Sequence, residues 1–216
     1  MISVLLNRFT VLRTIYNRLA MNALHLLITA CLAASASGFI ELFVGQCPKI
    51  TTKTNFDLNR YLGLWFSYEN FDAPFQWGST CVRALYSIKP NGRIKVINSG
   101  YSDVRLFGRS FYRSPIRIEG EAFIVDPAKP GGLNVRFGGQ PDTDGGRANY
   151  LIMDTDYDNY SVVYSCSKQS IFKIELAWIL TRQKGVRPAN IDTIYQTLTD
   201  YGVNVTNFKR VDHSNC

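Results

Sequence analysis

From residue 64 onwards, short runs of alternating apolar and polar residues are separated by turn-forming residues. Such alternation places every second side chain on one face, as in a half-buried β-strand. The clearest hairpin is centred on Pro90-Asn91-Gly92, a sequence that favours a tight turn. The eight predicted strands are 64–69, 81–88, 94–98, 116–125, 133–137, 149–153, 161–165 and 173–182. Because eight antiparallel strands can close around one small ligand, the pattern predicts an all-β barrel.

An amphipathic helix is predicted after the last strand, over residues 188–200. Pro188 suits the first helical position, and Gly202 suits the position just after the last turn. The apolar stripe consists of Ile191, Ile194, Tyr195 and Leu198, at helical spacing. We therefore expect this helix to pack against the outside of the barrel.

The remaining segments are interpreted as loops within a single domain over residues 37–216. The stretches 126–132 and 138–146 are rich in proline and glycine, and no internal repeat or linker is present in the domain. The aromatic and arginine-rich segment 101–115 is also predicted to be a loop.

The first 36 residues contain three arginines and no acidic residue. An apolar stretch over 23–34 leads into Ala34-Ser35-Ala36, which fits a small-residue cleavage site. This pattern predicts a secretory signal peptide over 1–36, starting at Met1 or Met21, with a mitochondrial transit peptide as the alternative. Without those arginines the net charge falls from +7 to +4, and no basic run is dense enough for nucleic acid. We expect a secreted, extracellular protein with no nucleic-acid partner.

The cysteine count agrees with an oxidising compartment. Cys31 belongs to the predicted signal peptide, and the other four are Cys47, Cys81, Cys166 and Cys216. An even number in a secreted domain predicts two disulfides, and the residues alone leave all three pairings open. The sequons at Asn159 and Asn204 predict glycosylation.

Catalytic chemistry is poorly supported. The two histidines are His25, in the predicted signal peptide, and His213, near the end of the chain. This distribution argues against a histidine-based triad, a histidine-ligated zinc ion and a histidine-ligated haem. We expect no enzymatic activity, no metal and no cofactor.

Three short motifs occur in order at barrel spacing: Gly63-Leu64-Trp65, Thr155-Asp156-Tyr157 and the isolated Arg182. Together they resemble the lipocalin family, and within it the apolipoprotein D group. Further matching segments are Cys47-Pro48, 59–65, 91–96, 118–122, 155–166 and 177–180. The resemblance covers about 45–216 and implies an eight-stranded up-and-down β-barrel with one C-terminal helix outside. The segments 101–115 and 138–146 depart from the group's pattern, which puts the ligand's identity in doubt.

The resemblance also implies roles for single residues. It pairs Cys47 with Cys166 and Cys81 with Cys216, and it packs Arg182 across Trp65 at the closed end of the barrel. Asp156 and Tyr157 would shape a turn there.

Ligand carriage is the function that the resemblance implies. Trp178 and Tyr86 match positions near the ligand, and each combines an apolar body with one polar atom. Residues that share their inward phase are Val82, Val96, Ile118, Val135, Phe137 and Leu176. Phe75 and Trp77 would lie in a lid loop at the mouth. We expect a monomer that carries a fatty acid, sterol, retinoid or bilin.

Two other functions are kept as alternatives. Aromatic mouth loops suit docking on a membrane or lipoprotein surface. A lipocalin-type enzyme or tetrapyrrole protein would need reactive groups inside the barrel, and the candidates are Tyr86 and Glu69.

Overall fold

The computed structural model describes residues 42–73, 76, 78–106, 109–138, 146–169 and 171–216. The predicted signal peptide and the predicted lid residues Phe75 and Trp77 lie outside these residues. The strands are β1 (Leu42–Val44), β2 (Gly63–Phe71), β3 (Ser79–Ile88), β4 (Ile94–Leu106), β5 (Arg109–Ile124), β6 (Gly132–Phe137), β7 (Tyr150–Thr155), β8 (Tyr160–Gln169), β9 (Phe172–Thr181) and β10 (Phe208–Arg210). The helices are α1 (Leu58–Tyr61), α2 (Ile191–Asp200) and a 3₁₀ turn (Val205–Asn207).

Strands β2 to β9 form a closed antiparallel barrel, as the alternation predicts. Each strand pairs with the next in the chain, and β9 pairs back onto β2 through Trp178–Asn70 and Thr181–Phe66. Closure leaves the barrel strands without free edges along most of their length. Because consecutive strands alternate in direction, the connections after β2, β4, β6 and β8 all lie at one end, called here the open end.

The predicted loop 101–115 is wrong, because most of this segment is strand. β4 and β5 pair from Ile94–Ala122 out to Leu106–Arg109, with one register shift between Val104 and Arg105. Oppositely charged Asp103 and Arg113 face each other across the pair, a favourable cross-strand arrangement. Pro115 is tolerated there because β5 has a strand neighbour on one side only at this point.

Helix α2 packs on the outside of the barrel, as expected, but begins at Ile191 rather than at residue 188. Ile191, Ile194 and Leu198 form a second hydrophobic core with the outer faces of β8 and β9. Gly202 follows the helix with φ +77°, a left-handed conformation that glycine adopts without strain. Among the described residues, no helix is long and apolar enough to cross a membrane.

The C-terminal tail completes the wall at the open end. β2 pairs with β3 only as far as Phe66–Arg83. Beyond that point β10 pairs with β2, and the amide of Cys81 donates to the carbonyl of Asp212 at 2.9 Å. Both disulfides that the resemblance implies are present: Cys81–Cys216 fixes the tail to β3, and Cys47–Cys166 fixes the N-terminal arm to β8.

Candidate functional site: the barrel cavity

A cavity of about 360 Å³ lies inside the barrel. The residues that line it come from strands β2, β3, β4, β6, β7, β8 and β9 and from the connections at the open end. They are Ser67, Gln76, Val82, Arg83, Ala84, Tyr86, Val96, Asn98, Val135, Phe137, Asn149, Tyr150, Ser165, Ser167, Leu176, Trp178 and Leu180. This volume is at the lower end of the roughly 300–1,000 Å³ found for small-molecule sites.

Seven of the eight predicted ligand contacts line this one cavity. They are Trp178, Tyr86, Val82, Val96, Val135, Phe137 and Leu176. Strand register brings them together, since Tyr86 pairs with Val96 and directly opposed residues point to the same face. Their contact with a ligand stays a prediction.

Ile118, the eighth, is not in the lining of this cavity. It lines an adjoining pocket of about 40 Å³, which shares Gln76, Val82 and Asn98 with the cavity, and it is 39% exposed. The pairing of β5 with β6 starts only at Gly120, so β5 at Ile118 has no neighbour on that side to close the wall around it.

An aromatic layer forms the floor of the cavity. The ring of Tyr61 lies 5.4 Å from that of Tyr86 and 5.2 Å from that of Trp65, which is fully buried. Phe56 adds an edge-on contact to Tyr61 at 5.1 Å. The cavity is therefore closed below this layer, and its remaining extent lies towards the open end.

Two tyrosines share a hydrogen bond in the wall. The hydroxyl oxygens of Tyr86 and Tyr150 are 2.7 Å apart. Burial raises the pKa of both phenols above their ordinary range. Both therefore stay protonated and neutral at physiological pH. Tyr150 is missing from the sequence prediction, because it starts a strand whose phase the preceding loop leaves undefined.

Other polar groups were also missed. The side chains of Asn98, Ser165 and Ser167 face the cavity, and none makes a hydrogen bond to the described part of the chain. The alternation of side chains along β4 could have identified Asn98, because it lies two residues after the inward-facing Val96 and therefore on the same face. Trp178 donates its indole N–H to the side-chain carbonyl of Gln76 at 3.3 Å.

Gly120 makes room for one cavity side chain. It pairs with Phe137 across β5 and β6. A Cβ at Gly120 would lie 2.5 Å from the Phe137 ring and 2.5 Å from the carbonyl oxygen of Arg136. Glycine at this inward position therefore sets where the Phe137 ring lies.

The opposite, closed end is fastened by Arg182. Its guanidinium lies 3.8 Å from the centre of the Trp65 ring. It donates to the carbonyls of Tyr157 at 2.8 Å, Leu64 at 2.9 Å and Arg60 at 2.9 Å. Gly63 has φ +97°, and a Cβ there would lie 3.3 Å from the guanidinium, so the motif glycine allows this approach.

The Thr155-Asp156-Tyr157 segment forms the adjoining turn. The Thr155 hydroxyl donates to the carbonyl of Tyr160 and accepts from the amide of Tyr157. The Asp156 carboxylate accepts from the backbone amides of residues 158–160 and from the Asn159 side chain. Burial alone would raise the pKa of Asp156, but these hydrogen bonds outweigh it and lower the pKa below its usual value.

Reactive groups are not assembled in the cavity as the enzyme alternative requires. Glu69 accepts a hydrogen bond from Tyr195 of α2 and is absent from the lining, so it does not meet Tyr86. Among the described residues, no three His, Cys, Asp or Glu side chains are grouped to hold a metal ion. Arg83 is the one charged residue in the described lining, and its exposed side chain donates to the Ser99 hydroxyl, outside that lining.

Comparison with known proteins places this architecture among its relatives. Residues 56–213 match the family model described as Lipocalin-like domain. The chain is 34% identical over 177 residues to apolipoprotein D of Macaca fascicularis, covering 82% of this chain and 87% of the relative. It is 28% identical over 195 residues to the Lazarillo protein of Schistocerca americana, covering 89% and 82% respectively.

Solved structures share the fold. Lobster apocrustacyanin A1 superposes with a TM-score of 0.61 at 18% identity, covering 79% of this chain and 90% of that chain. Insecticyanin from the tobacco hornworm Manduca sexta gives 0.63 at 20% identity, covering 82% and 91%. At such identities the likeness concerns the fold alone.

Proposed function

Since the chain belongs to the lipocalin family, we propose that it binds and transports a small hydrophobic ligand in the barrel cavity. The observation that carries the proposal is a cavity of about 360 Å³, closed by the aromatic floor and continuing to the open end. Burial of about 300 Å² of apolar ligand surface gives roughly 7 kcal/mol before ordering costs, which supports reversible loading.

The wall also favours a ligand with a polar group. Asn98, Ser165 and Ser167 line the cavity without hydrogen-bond partners in the described chain. A wholly apolar ligand would remove these groups from water without replacing the lost hydrogen bonds, at about 1–3 kcal/mol each. The ligand class is therefore an amphiphile, such as a fatty acid, sterol, retinoid or bilin.

The cellular setting belongs to the same proposal. The signal peptide predicted over 1–36 and the two long-range disulfides support secretion. Asn204 is exposed, and its side-chain nitrogen makes no hydrogen bond to the described residues, whereas that of Asn159 donates to Asp156. We expect a monomeric carrier without enzymatic activity, glycosylated at Asn204 more completely than at Asn159.

The test is a fluorescence titration of the secreted, disulfide-intact protein after extraction of bound lipid. A fatty acid, a sterol, a retinoid and a bilin are each added, and Trp178→Phe identifies the emission that comes from the cavity. Val135→Trp fills the cavity and should abolish saturable quenching. Leu85→Trp adds the same ring at an exposed position outside the lining and should leave binding intact.

Saturable quenching by one class, lost in Val135→Trp and kept in Leu85→Trp, supports carriage in the cavity. Failure of all four classes to bind the folded, lipid-free protein would overturn the proposal, as would equal binding by both variants.

A further inference from the structure

The β4–β5 hairpin projects beyond the barrel at the open end. The pairing of β3 with β4 ends at Ser79–Ser102, and the pairing of β5 with β6 spans only residues 120–124 of β5. Beyond Ser102 the hairpin is therefore a two-stranded ribbon without neighbouring barrel strands. Arg113 holds its base, lying 4.0 Å from the Tyr101 ring centre and donating to the carbonyl of Asn215.

The ribbon exposes large apolar side chains. Phe111 is 79% exposed and Tyr112 is 61% exposed, and a register shift between Val104 and Arg105 leaves Phe111 as the extra, unpaired residue of a β-bulge. Val104 pairs with Tyr112 and is half exposed. Ile171, in the turn after β8 at the same end, is 64% exposed. Two separate elements at the open end thus expose large apolar side chains, and exposure of this kind is typical of an interaction surface.

The charge of this end differs from that of the rest of the barrel. Residues 101–113 contain three arginines and one acidic residue, Asp103, and the next arginine, Arg117, lies 3.9 Å from the Glu119 carboxylate. In the closed half, basic side chains pair with acids: Lys53 with Asp154, Arg60 with Asp158, Lys89 and Arg93 with Glu121, and Lys95 with Glu119. The positive excess therefore accompanies the exposed aromatics.

We propose that the open end docks on an anionic lipid membrane, with Phe111, Tyr112 and Ile171 inserted at the headgroup level. Aromatic side chains favour this interface, and arginines near an anionic leaflet add electrostatic attraction. A second copy of the chain fits the surface less well, because a symmetric contact would bring two arginine-rich ribbons together. The docked cavity mouth faces the membrane, so a ligand passes between bilayer and barrel without crossing water.

Vesicle sedimentation with the secreted, disulfide-intact protein tests the docking. One set of vesicles contains phosphatidylcholine and phosphatidylserine in equal amounts, and the other contains phosphatidylcholine alone. We expect binding to the mixed vesicles that weakens as salt is added. Phe111→Ser combined with Tyr112→Ser should lower the partition coefficient at least about tenfold, given the area that two aromatic rings bury. Leu85→Ser combined with Ile88→Ser is the matched control, because it removes exposed apolar side chains elsewhere on the barrel.

Orientation is measured with brominated phosphatidylcholine, which quenches tryptophan within the bilayer. A tryptophan introduced by Phe111→Trp should be quenched on binding, whereas one introduced by Ile88→Trp should not. Absence of binding by the folded wild-type protein would overturn the proposal, and so would equal loss in the two double variants. Self-association that disappears with Phe111→Ser would also overturn it, by assigning the surface to a second copy.

Discussion

Replacement of Arg182 should destabilise the whole barrel while leaving the chemistry of the cavity untouched. The guanidinium joins α1, β2 and the turn at Tyr157 through four backbone carbonyls, three of them at 2.8–2.9 Å and that of Tyr61 at 3.3 Å, and it covers the Trp65 ring. Methionine retains much of the side chain's volume but none of these hydrogen bonds. Lysine retains the charge, but a single ammonium group cannot span four carbonyls in different directions.

The expected loss follows from these contacts. A hydrogen bond from a charged donor contributes about 1.5–3 kcal/mol when buried, and a cation–π contact about 0.5–2 kcal/mol. Because Arg182 is only half-buried, we use the lower end of each range. Arg182→Met should then cost about 4–5 kcal/mol, and Arg182→Lys about 2–3 kcal/mol. Arg187→Met is the control, since its exposed ion pair with Asp192 should contribute at most about 1 kcal/mol.

Guanidinium unfolding with the disulfides intact measures these free energies. The expected order of stability is wild type, then Arg182→Lys, then Arg182→Met, with Arg187→Met close to wild type. Ligand affinity of each folded variant is measured in parallel and should stay at the wild-type value. An Arg182→Lys protein as stable as wild type would refute the reasoning, because it would show that charge alone fastens the closed end.

Three further perturbations test the cavity and the turn. Tyr150→Phe should cost about 1–3 kcal/mol by leaving the buried Tyr86 hydroxyl without a partner, and a double-mutant cycle with Tyr86→Phe should show non-additive unfolding energies. Gly120→Ala should cost about 1–3 kcal/mol and reduce ligand affinity by displacing the Phe137 ring; unchanged binding would contradict this. The lowered pKa of Asp156 stabilises the fold above the ordinary aspartate pKa, and the gain is lost as pH falls through the folded value. Asp156→Asn should therefore narrow the stability difference between neutral and acid pH, as measured by unfolding at each.

Alternation predicted the barrel because it reports directly on which side chains turn inward. It succeeded where a strand has neighbours on both sides, as at Tyr86 and Trp178, since burial then enforces the phase. Alternation failed to predict strands at 101–115. The ribbon there is solvated on both faces, and its arginines interrupt the alternation of apolar and polar residues. Ile118 lies where the closed barrel wall gives way to the two-stranded ribbon. A residue there can face inward without lining the main cavity.

Burial of the outer face of β9 also could not be predicted from the sequence. Glu175 was placed opposite the inward residues of β9, yet it is buried and accepts a hydrogen bond from Tyr164. Its ion pair with Lys173 at 3.0 Å lies in the same buried region. The outer face of β9 is buried alongside the second core that includes α2, a tertiary fact that a local pattern does not contain.

Different contacts stabilise the two ends of the barrel, and this difference affects where a ligand can enter. At the closed end, Arg182 and the aromatic layer below the cavity join neighbouring elements, so an opening there would break several contacts at once. At the open end, β2 and β3 separate beyond Phe66, and the gap is occupied by the tail that Cys81–Cys216 retains. We therefore expect ligand exchange at the open end, where the wall has the fewest strand pairings and where the exposed ribbon lies. The disulfide stabilises the mouth wall specifically, so its reduction should loosen the path of exchange before it disturbs the floor.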